Sequence, residues 1–504
     1  MGAEGYAMVG ADISDSTLVQ KTPAPPSAFG LPLEGGRQAT VRAVLCTLGV
    51  LLAHFRPWQG GLVEELGILL AWQGQGFSAY TAPASIQGTL GRPLHLLPAY
   101  VSLEISQGGY AGLYGALALA ALAQLLLVVW GLRPTGASSQ VRWFVALALA
   151  LHPWWIGGFT LRFLPAQVAI ALCALWLGAT VRFGAGGGRR WLVVAYFSLL
   201  AALLHYQAPA FGVLLGTAAL IVVLRWPVRR AAGVAAVALA AVATSGAWAL
   251  VFAPRIAATY EAAIIDAYDI APSAAVTTAY KTVLLHSPSL LLLLVGVGLV
   301  VLSLGFSQVL TPGRAWLLLV MIAGTPGAAL IFYPSSFHLA SAEHVQLAVG
   351  LGGWLVLAAL AVSITQRPRL ALVVAATLAA AGLAGGVFGY AHWGRLALEQ
   401  HSLVEAAVDM RDSLKSDQVL IAADRTGYYG SLYLFPPPHL DIAVQLHDGP
   451  GPEVILCTPA DIVRQPGLAT PDCAAVMDRA TASFLGTEEM ERGPVDFYAV
   501  QRAS

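Results

Sequence analysis

Residues 62 to 100 read LVEELGILLAWQGQGFSAYTAPASIQGTLGRPLHLLPAY, and this stretch decides how the rest of the chain is interpreted. It follows the first long apolar run and gathers Glu64, Glu65, Arg92 and His95, although only 11% of the chain is charged. The stretch is too polar to cross a bilayer, yet its apolar side chains suit a helix that lies on the membrane surface. Polar groups concentrated in this way between apolar runs predict a functional site.

The composition places this stretch in a membrane protein. The chain has 504 residues, is 57% hydrophobic and has a mean hydropathy of +0.71, which is far more apolar than a soluble protein needs. Residues 1 to 36 contain Pro23, Pro25 and Pro26 and no early apolar run. We therefore expect a disordered tail at the start of the chain and no cleavable signal peptide.

Apolar runs of the length that spans a bilayer, roughly 17 to 23 residues, organise most of the chain. They predict eleven membrane spans, at about 39–57, 108–132, 142–157, 163–182, 191–206, 208–225, 231–252, 288–306, 315–333, 345–366 and 370–391. The predicted fold is thus an all-α polytopic membrane bundle of about eleven transmembrane helices over residues 37–391, with long loops at 58–107 and 253–287.

The basic residues predict the orientation of these spans, because Lys and Arg are enriched in cytoplasmic loops. With a cytoplasmic N-terminus, fourteen fall on the cytoplasmic side: Lys21, Arg37, Arg42, Arg133, Arg142, Arg182, Arg189, Arg190, Arg225, Arg229, Arg230, Arg314, Arg367 and Arg369. The opposite loops hold five: Arg56, Arg92, Arg162, Arg255 and Lys281. The acids between spans then all lie outside: Glu64, Glu65, Glu104, Glu261, Asp266, Asp269 and Glu343. We expect the working face to be the outer one.

After about residue 392 the composition changes, because acids, prolines and alternating runs replace the Leu/Ala/Val blocks. This change predicts a small extracytoplasmic α/β domain over residues 392–504. Its predicted strands are Val419–Ala423, Glu453–Cys457 and Val495–Arg502, and its predicted helices are Leu403–Leu414 and Cys473–Ala482.

The four cysteines divide between the two predicted parts of the chain. Cys46 and Cys173 lie in predicted spans, where we expect inert core residues. Cys457 and Cys473 are the cysteines of the outer domain and are close in sequence. An oxidising compartment would permit a disulfide between them, and we predict that it forms.

The neighbouring acids Glu64 and Glu65 are the candidate catalytic residues. On a helix they point about 100° apart, so only one of them faces a given ligand directly. The alternative is a solvated pair at a helix start, where the helix dipole favours carboxylates. Their position just outside the first span favours the functional interpretation.

Arg92 and His95 belong to the sequence Gly91-Arg92-Pro93-Leu94-His95, in which proline fixes the backbone and glycine permits a turn. An arginine at the membrane boundary binds lipid phosphates and substrate phosphates with the same guanidinium geometry. The sequence leaves both interpretations of Arg92 open.

Further candidate substrate-binding residues come from other predicted outer turns and ends of spans: Arg162, His205, Gln207, Lys281, His338 and Glu343. The spacing of His338, Glu343 and His344 matches no zinc pattern, so we expect no metal. The glycines at 184–188 open no nucleotide-binding loop, because no Lys-Ser/Thr follows them. We expect no cofactor and no nucleic-acid partner.

An acidic pair after the first span, a surface-lying stretch and then Gly-Arg-Pro-Leu before the second span resemble the GT-C class of membrane glycosyltransferases. Within this class the arrangement most resembles the bacterial GtrII-like glucosyltransferases that modify O-antigens. It resembles the protein mannosyltransferases and aminoarabinose transferases more loosely. The resemblance covers roughly residues 40 to 350 as an architecture and Glu64, Glu65 and Gly91 to Leu94 as a motif. Glu64 stands where these families usually carry Asp.

The resemblance implies transfer of a sugar from a polyprenyl-phosphate donor to a glycan or lipid-linked acceptor, at the outer face of a bacterial inner membrane. Glu64 would be the general base, and Glu65→Gln would cost less than Glu64→Gln. Cations would stabilise the departing lipid phosphate, so that a metal is not chemically required. The candidate cationic groups are Arg92, Arg162, His205 and Lys281.

Two other functions remain open at this point. A transporter or flippase for a lipid-linked glycan explains the apolar bundle, but it predicts ionisable residues deep within spans, whereas most charges here lie at span ends. A non-enzymatic envelope assembly protein would use the outer domain to bind partners. Release of polyprenyl phosphate from a sugar donor by the purified protein discriminates the enzyme from both.

Overall fold

The computed structural model describes residues 36–60, 64–82, 89–151, 161–256, 272–286, 288–306, 310–325, 342–363, 367–426, 428–429, 432–433, 435, 439–459, 462, 471–477 and 482–501. Its α-helices in chain order are α1 (Arg37–His54), α2 (Glu64–Gln75), α3 (Leu97–Ser106), α4 (Tyr110–Gly131), α5 (Ser139–Ala150), α6 (Leu164–Gly184), α7 (Arg190–His205), α8 (Pro209–Leu224), α9 (Val228–Ala247), α10 (Pro272–His286), α11 (Pro288–Phe306), α12 (Pro312–Gly324), α13 (Ala342–Ser363), α14 (Pro368–Asp412), α15 (His439–Asp448) and α16 (Cys473–Val476).

Shorter helical pieces connect these elements. Turns of 3₁₀-helix lie at Pro57–Gln59, Gly76–Thr81, Arg133–Thr135 and Leu161–Phe163, and α9 continues through the π-helical segment Trp248–Phe252 into a last turn at Ala253–Ile256. Many helices start at proline, whose missing N–H is not needed in the first turn. Proline is the first residue of α8, α10, α11, α12 and α14.

The apolar runs of the sequence and the helices of the structure coincide. Each of the eleven predicted ranges overlaps a helix, from α1 at the first range to α14 at the last. Within the part of the chain that the structure describes, five helical segments are long and apolar enough to cross a membrane: Arg37–Gln59, Tyr110–Thr135, Leu161–Gly184, Val228–Ile256 and Pro368–Asp412. The number of crossings, eleven, stays a prediction. The second predicted loop, 253–287, is partly helical, because α10 occupies its second half.

The outside of the bundle is apolar, as expected of helices that face lipid. Leu52 on α1 is 71% exposed, Leu292 on α11 72% and Ile105 on α3 80%. Exposed apolar side chains on several elements mark a membrane-facing surface rather than a surface in water. The fold is therefore that of a membrane protein.

Small residues and paired amides hold the bundle interior together. A Cβ built on Gly131 of α4 would lie 2.9 Å from the Cα of Gly178 on α6, so the two backbones touch. Gln167 on α6 donates to the side-chain oxygen of Gln124 on α4 over 2.8 Å, and Gln124 donates to the carbonyl of Leu149 on α5 over 3.0 Å. These hydrogen bonds satisfy polar groups that have no access to water.

The expected surface helix is α2, and it joins the bundle to the C-terminal part of the chain. Leu69 packs with Leu103 and Leu117 of α3 and α4, in the bundle. Leu66 packs in a different apolar cluster, with Trp393 of α14 and Phe497 of the C-terminal sheet. Since α2 presents a face to each side, Glu65 lies at the boundary between the two parts.

The longest helix, α14, runs without interruption through the predicted domain boundary at residue 392. It has 45 residues and includes most of the predicted helix Leu403–Leu414. At its C-terminal end the buried side chain of Arg411 donates to the carbonyl of Gly449 over 3.0 Å and forms an ion pair with Asp448. That residues 392–504 form a separate extracytoplasmic domain stays a prediction.

The C-terminal part contains a mixed four-stranded sheet in the order β4-β1-β6-β5, with β1 and β4 parallel and the other pairs antiparallel. Its strands are β1 (Gln418–Asp424), β4 (Val454–Cys457), β5 (Ser483–Met490) and β6 (Gly493–Gln501), and a small hairpin comprises β2 (Tyr428–Tyr429) and β3 (Leu432–Tyr433). All three predicted strands are therefore confirmed.

The predicted helix Cys473–Ala482 is confirmed at Cys473–Val476 and wrong at Met477 and Ala482, and residues 478–481 lie outside the described residues. Helix α16 ends at Val476, and Met477 is already extended. Cys473 is linked to Cys457 by a disulfide, and β5 begins at Ser483 and pairs with β6. The predicted disulfide is confirmed. Cys46 and Cys173 are free and buried, as expected.

Candidate functional site

A small cavity lies between α2, the turn before α3, the start of α4 and the start of α6. Three of its lining residues are polar or charged and come from separate segments: Glu65, His95 and Arg162. The space measures about 30 Å³, which is room for about one water molecule. The remaining lining is apolar: Ile68, Leu96, Ala99, Leu113, Leu161, Leu164 and Pro165.

Glu65 reaches this cavity because of its position on α2. It shares a helix face with Ile68, three residues on, and its side chain is only 4% exposed. A carboxylate this buried needs a nearby cation or donors. Arg56 is fully buried nearby, and both Arg56 and Glu65 interact electrostatically with Tyr114. The O–H of Tyr114 donates to the carbonyl of Gly60 over 3.1 Å.

The turn that carries Arg92 and His95 is attached to the C-terminal end of α7. The Nδ1 atom of His95 lies 3.0 Å from the carbonyl oxygen of His205, and the side-chain NH₂ of Gln207 donates to the carbonyl of Gly91 over 3.2 Å. The structure thus brings together four predicted site residues from two distant segments. Two of them, His205 and Gln207, hold the turn in place.

The ring of Tyr206 lies between the two polar groups of this turn. His95 stacks on it, with ring centroids 5.9 Å apart and ring planes 24° apart, and the guanidinium of Arg92 lies 5.7 Å from its centroid. Burial, and then the charge of Arg92, lower the pKa of His95 to about 3. His95 is therefore neutral at physiological pH. Because a carbonyl accepts from its Nδ1, its Nε2 is a hydrogen-bond acceptor.

Two further side chains fix the same turn from the other directions. The O–H of Tyr80 donates to the carbonyl of Pro93 over 2.6 Å, and the indole N–H of Trp248 donates to the carbonyl of Leu90 over 2.8 Å. Trp248 opens the π-helical segment, an irregularity that often accompanies functional sites. The turn is held in one conformation by α7, by the 3₁₀ segment after α2 and by the end of α9.

Arg162 approaches the cavity from the 3₁₀ turn that precedes α6. Its guanidinium lies 5.5 Å from the centroid of the Phe163 ring. The neighbours of Arg162 on the turn, Leu161 and Phe163, are buried and anchor it to the bundle. A cation with a planar fork of donors therefore faces the same space as the Glu65 carboxylate and the neutral His95.

The other predicted site residues lie elsewhere or outside the described residues. Glu64 is the first residue of α2, but its side chain falls outside the description, as does that of Glu343 at the start of α13. His338 lies outside the described residues altogether. Lys281 is exposed on α10 and does not line the cavity. Within the described ranges, no group of three or more His, Cys, Asp or Glu is placed to hold a metal ion.

Several side chains that build the site were not among the predicted site residues: Arg56, Tyr80, Tyr114, Tyr206 and Trp248. Tyr206 stands between His205 and Gln207, so its neighbours carried a signal for it. Tyr114 lies inside an apolar span and Trp248 near the end of another. The polar atoms of Tyr114 and Trp248 contribute to the site only through the packing of the helices, which the local sequence does not show.

The bundle, helix α2 and the C-terminal sheet together form a fold that resembles a solved structure. The structure is similar to the crystal structure of ArnT from Cupriavidus metallidurans bound to undecaprenyl phosphate, with a TM-score of 0.50 and 13% sequence identity, over 92% of this chain and 98% of that chain. The sequence matches no protein-family model and no curated protein. At this identity the likeness establishes the fold.

Proposed function

We propose that the protein is a membrane glycosyltransferase that moves a sugar from a polyprenyl-phosphate donor to a glycan or lipid-linked acceptor. The observation that carries the proposal is the convergence of Glu65, His95 and Arg162 on one cavity beside the surface helix. The fold supports it as well, because the similar ArnT structure contains undecaprenyl phosphate. The basic residues favour a cytoplasmic N-terminus, which would put the cavity at the outer face of a bacterial inner membrane.

A carboxylate of the Glu64–Glu65 pair would act as general base. The acceptor hydroxyl attacks the anomeric carbon, the bond from that carbon to the phosphate oxygen breaks, and the hydroxyl proton passes to the carboxylate. The cavity lining supports Glu65 as this base, since its side chain faces the space that Arg162 also faces. That Glu64 is the base instead stays a prediction, and the experiment below tests both residues.

The leaving polyprenyl phosphate takes the bonding electron pair and gains negative charge, so cations at its oxygens stabilise the transition state more than the ground state. Arg162 lines the cavity and Arg92 lies on the adjoining turn. We assign these two arginines to the phosphate. The Nε2 lone pair of neutral His95 would accept a hydrogen bond from a sugar hydroxyl and orient the donor.

The donor tail would stay in the bilayer while its phosphate reaches the cavity. A sugar ring needs more room than the about 30 Å³ present, so the proposal includes a widening of the cavity when the donor binds. Within the GT-C class, the acidic pair and the Gly91-to-Leu94 motif favour the GtrII-like group. Genes for a polyprenyl-phosphate glycosyltransferase and a small flippase beside this one would support that placement.

The test is release of polyprenyl phosphate by the purified protein in nanodiscs, given polyprenyl-phosphate sugars and an acceptor. Glu65→Gln keeps the shape of the side chain but removes the proton acceptor, so turnover should fall by about 10² to 10⁴. Glu64→Gln is measured in parallel. The matched control is Glu104→Gln, because Glu104 is exposed on α3 and accepts from Trp72 over 3.2 Å, away from the cavity lining.

Normal turnover in both Glu64→Gln and Glu65→Gln, with the fold intact by thermal unfolding, would overturn the assignment of the base. No release by the wild-type protein from any polyprenyl-phosphate sugar would overturn the enzymatic function itself.

A further inference from the structure

A second, larger pocket lies on the neighbouring face of α2. It measures about 280 Å³ and is enclosed by α2, the turn after α1, the start of α4, the outer half of α14 and α15. Its floor is apolar and includes Leu66 and Leu69 of α2 and the buried ring of Phe435. The proposed reaction does not use this pocket.

The rim of this pocket has a uniform chemistry. Among its described lining residues there is no Asp, Glu, Lys or Arg. The polar lining consists of three amides, two imidazoles and a phenol, from Gln59, Gln73, Gln400, His401, His447 and Tyr110. Amides donate and accept at the same time, as adjacent hydroxyl groups also do.

The backbone near the rim is shaped to keep this space open. Gly60 has φ +66°, and a Cβ built on it would lie 3.3 Å from Nε2 of His401, so a side chain there would be both strained and crowded. The carbonyl of Gly60 is held by the O–H of Tyr114. The side chain of Gln59 is 6% exposed, and its Oε1 has no hydrogen-bond partner among the described residues. An unsatisfied buried amide oxygen is costly unless a ligand or water donates to it.

The position of the pocket connects it to the candidate active site. Glu65 and Ile68 face one cavity, whereas Leu66, Leu69 and Gln73 face the other, as spacings of three and four residues on one helix dictate. The partition between them is thin: Leu69 packs with Leu113 and Leu161, which line the cavity that contains Glu65. A molecule in the pocket therefore lies one helix width from the proposed base.

We propose that this pocket binds an uncharged, hydroxyl-rich segment of the acceptor glycan, and the proposal rests on the glycosyltransferase function above. A phosphate or a carboxylate would find no guanidinium or ammonium group among the described lining residues. A purely apolar chain would leave the buried side-chain oxygen of Gln59 without a hydrogen-bond donor. The volume is close to the lower end of ligand pockets, about 300 to 1,000 Å³, and suits a single sugar ring.

The test compares two glutamines on the same helix. Gln73 and Gln75 are both exposed on α2, but only Gln73 is among the residues that line the pocket. Wild-type protein, Gln73→Leu and Gln75→Leu are reconstituted in nanodiscs and titrated with neutral oligosaccharides, namely mannotriose, maltotriose, galactotriose and arabinotriose, and with trigalacturonic acid. Saturation-transfer difference NMR reports binding.

We expect at least one neutral trisaccharide to bind the wild-type protein and Gln75→Leu equally, and Gln73→Leu roughly 3- to 10-fold more weakly, the effect of one lost hydrogen bond. Equal binding to all three proteins, tighter binding of trigalacturonic acid, or no binding of any neutral trisaccharide would each overturn the proposal. In the transfer assay, Gln73→Leu should raise KM for the acceptor and leave kcat unchanged.

The two proposals fail in different ways. If the trisaccharide binds as expected but the wild-type protein releases no polyprenyl phosphate, the pocket binds a glycan and the enzymatic function is wrong. If polyprenyl phosphate is released and Gln73→Leu changes neither binding nor KM, the enzyme stands and the acceptor pocket is wrong.

Discussion

The two spaces on either side of α2 differ in chemistry although they share a helix and a wall. The cavity on the bundle side is lined by a carboxylate, a neutral imidazole and a guanidinium, whereas the pocket on the C-terminal side is lined by amides, imidazoles and a phenol. Buried charges are costly to assemble, so they are expected where charge develops during a reaction. Neutral hydrogen-bonding groups suffice to recognise a neutral molecule. This difference supports the two proposals, which place the reaction on one side of α2 and glycan recognition on the other.

The largest effect expected in a test of whether the two spaces act separately comes from a substitution of Arg162. Replacing it by Gln removes a cation that we place at the leaving phosphate, so polyprenyl phosphate release should fall by about 10² to 10³. Trisaccharide binding should remain at the wild-type value, because Arg162 does not line the second pocket. Arg229→Gln, at an exposed position near the start of α9, is the matched control. A loss of binding equal to the loss of turnover would show that the two spaces are not separate.

A smaller effect is expected from the disulfide. Cys457→Ser with Cys473→Ser opens a loop whose ends are 16 residues apart, and should lower the free energy of unfolding of the sheet by about 3 kcal/mol. These cysteines pack with Ile421 and Val500, in a cluster that contains no residue of either cavity. Hydrogen exchange of residues 471–501 should rise while turnover stays normal. Cys46→Ala is the control, and loss of turnover in the double variant would contradict the separation.

The smallest effect concerns the pH dependence set by His95. An imidazole in an unfolded chain has a pKa near 6.5, whereas burial and Arg92 lower the pKa of His95 to about 3 in the folded protein. Between these values the unfolded chain binds more protons, so the stability contributed at neutral pH is lost as the pH falls from about 7 toward about 3. His95→Phe should flatten the dependence of Tm on pH between about 4.5 and 7. Above pH 7 the curves of Tm against pH for the wild-type protein and His95→Phe should run parallel. If the two curves also run parallel below pH 7, the low pKa of His95 is contradicted.

The sequence predicted the helices and strands better than it predicted the contacts between them. Apolar runs located α1, α6 and α11 because membrane helices are specified by their own composition. Alternation located β1 and β6 for a similarly local reason. The helix predicted from Cys473 was wrong at Met477, where the backbone is already extended.

The site depended on contacts that no local pattern contains. The hydrogen bond from Gln207 to Gly91 joins residues 116 positions apart, and that from Trp248 to Leu90 joins residues 158 apart. The sequence placed His95 and His205 among the candidates from their polarity alone. It did not indicate that a backbone carbonyl of one would hold the ring of the other.

The uninterrupted helix α14 has a consequence for how the two sides of the molecule stay aligned. Its 45 residues span about 68 Å, more than twice the thickness of a bilayer core of about 30 Å. The N-terminal part of α14 is long and apolar enough to cross a membrane, and its C-terminal part places Ala397 and Gln400 at the second pocket. The direction in which these two side chains point therefore depends on the rotation of the whole helix about its axis. One inserted residue in its membrane half would turn these two side chains by about 100°, whereas four would return them close to their original bearing, about 6 Å further from the membrane. The number of residues in the apolar half of α14, and not only its hydrophobicity, would thus set which way the proposed glycan pocket faces.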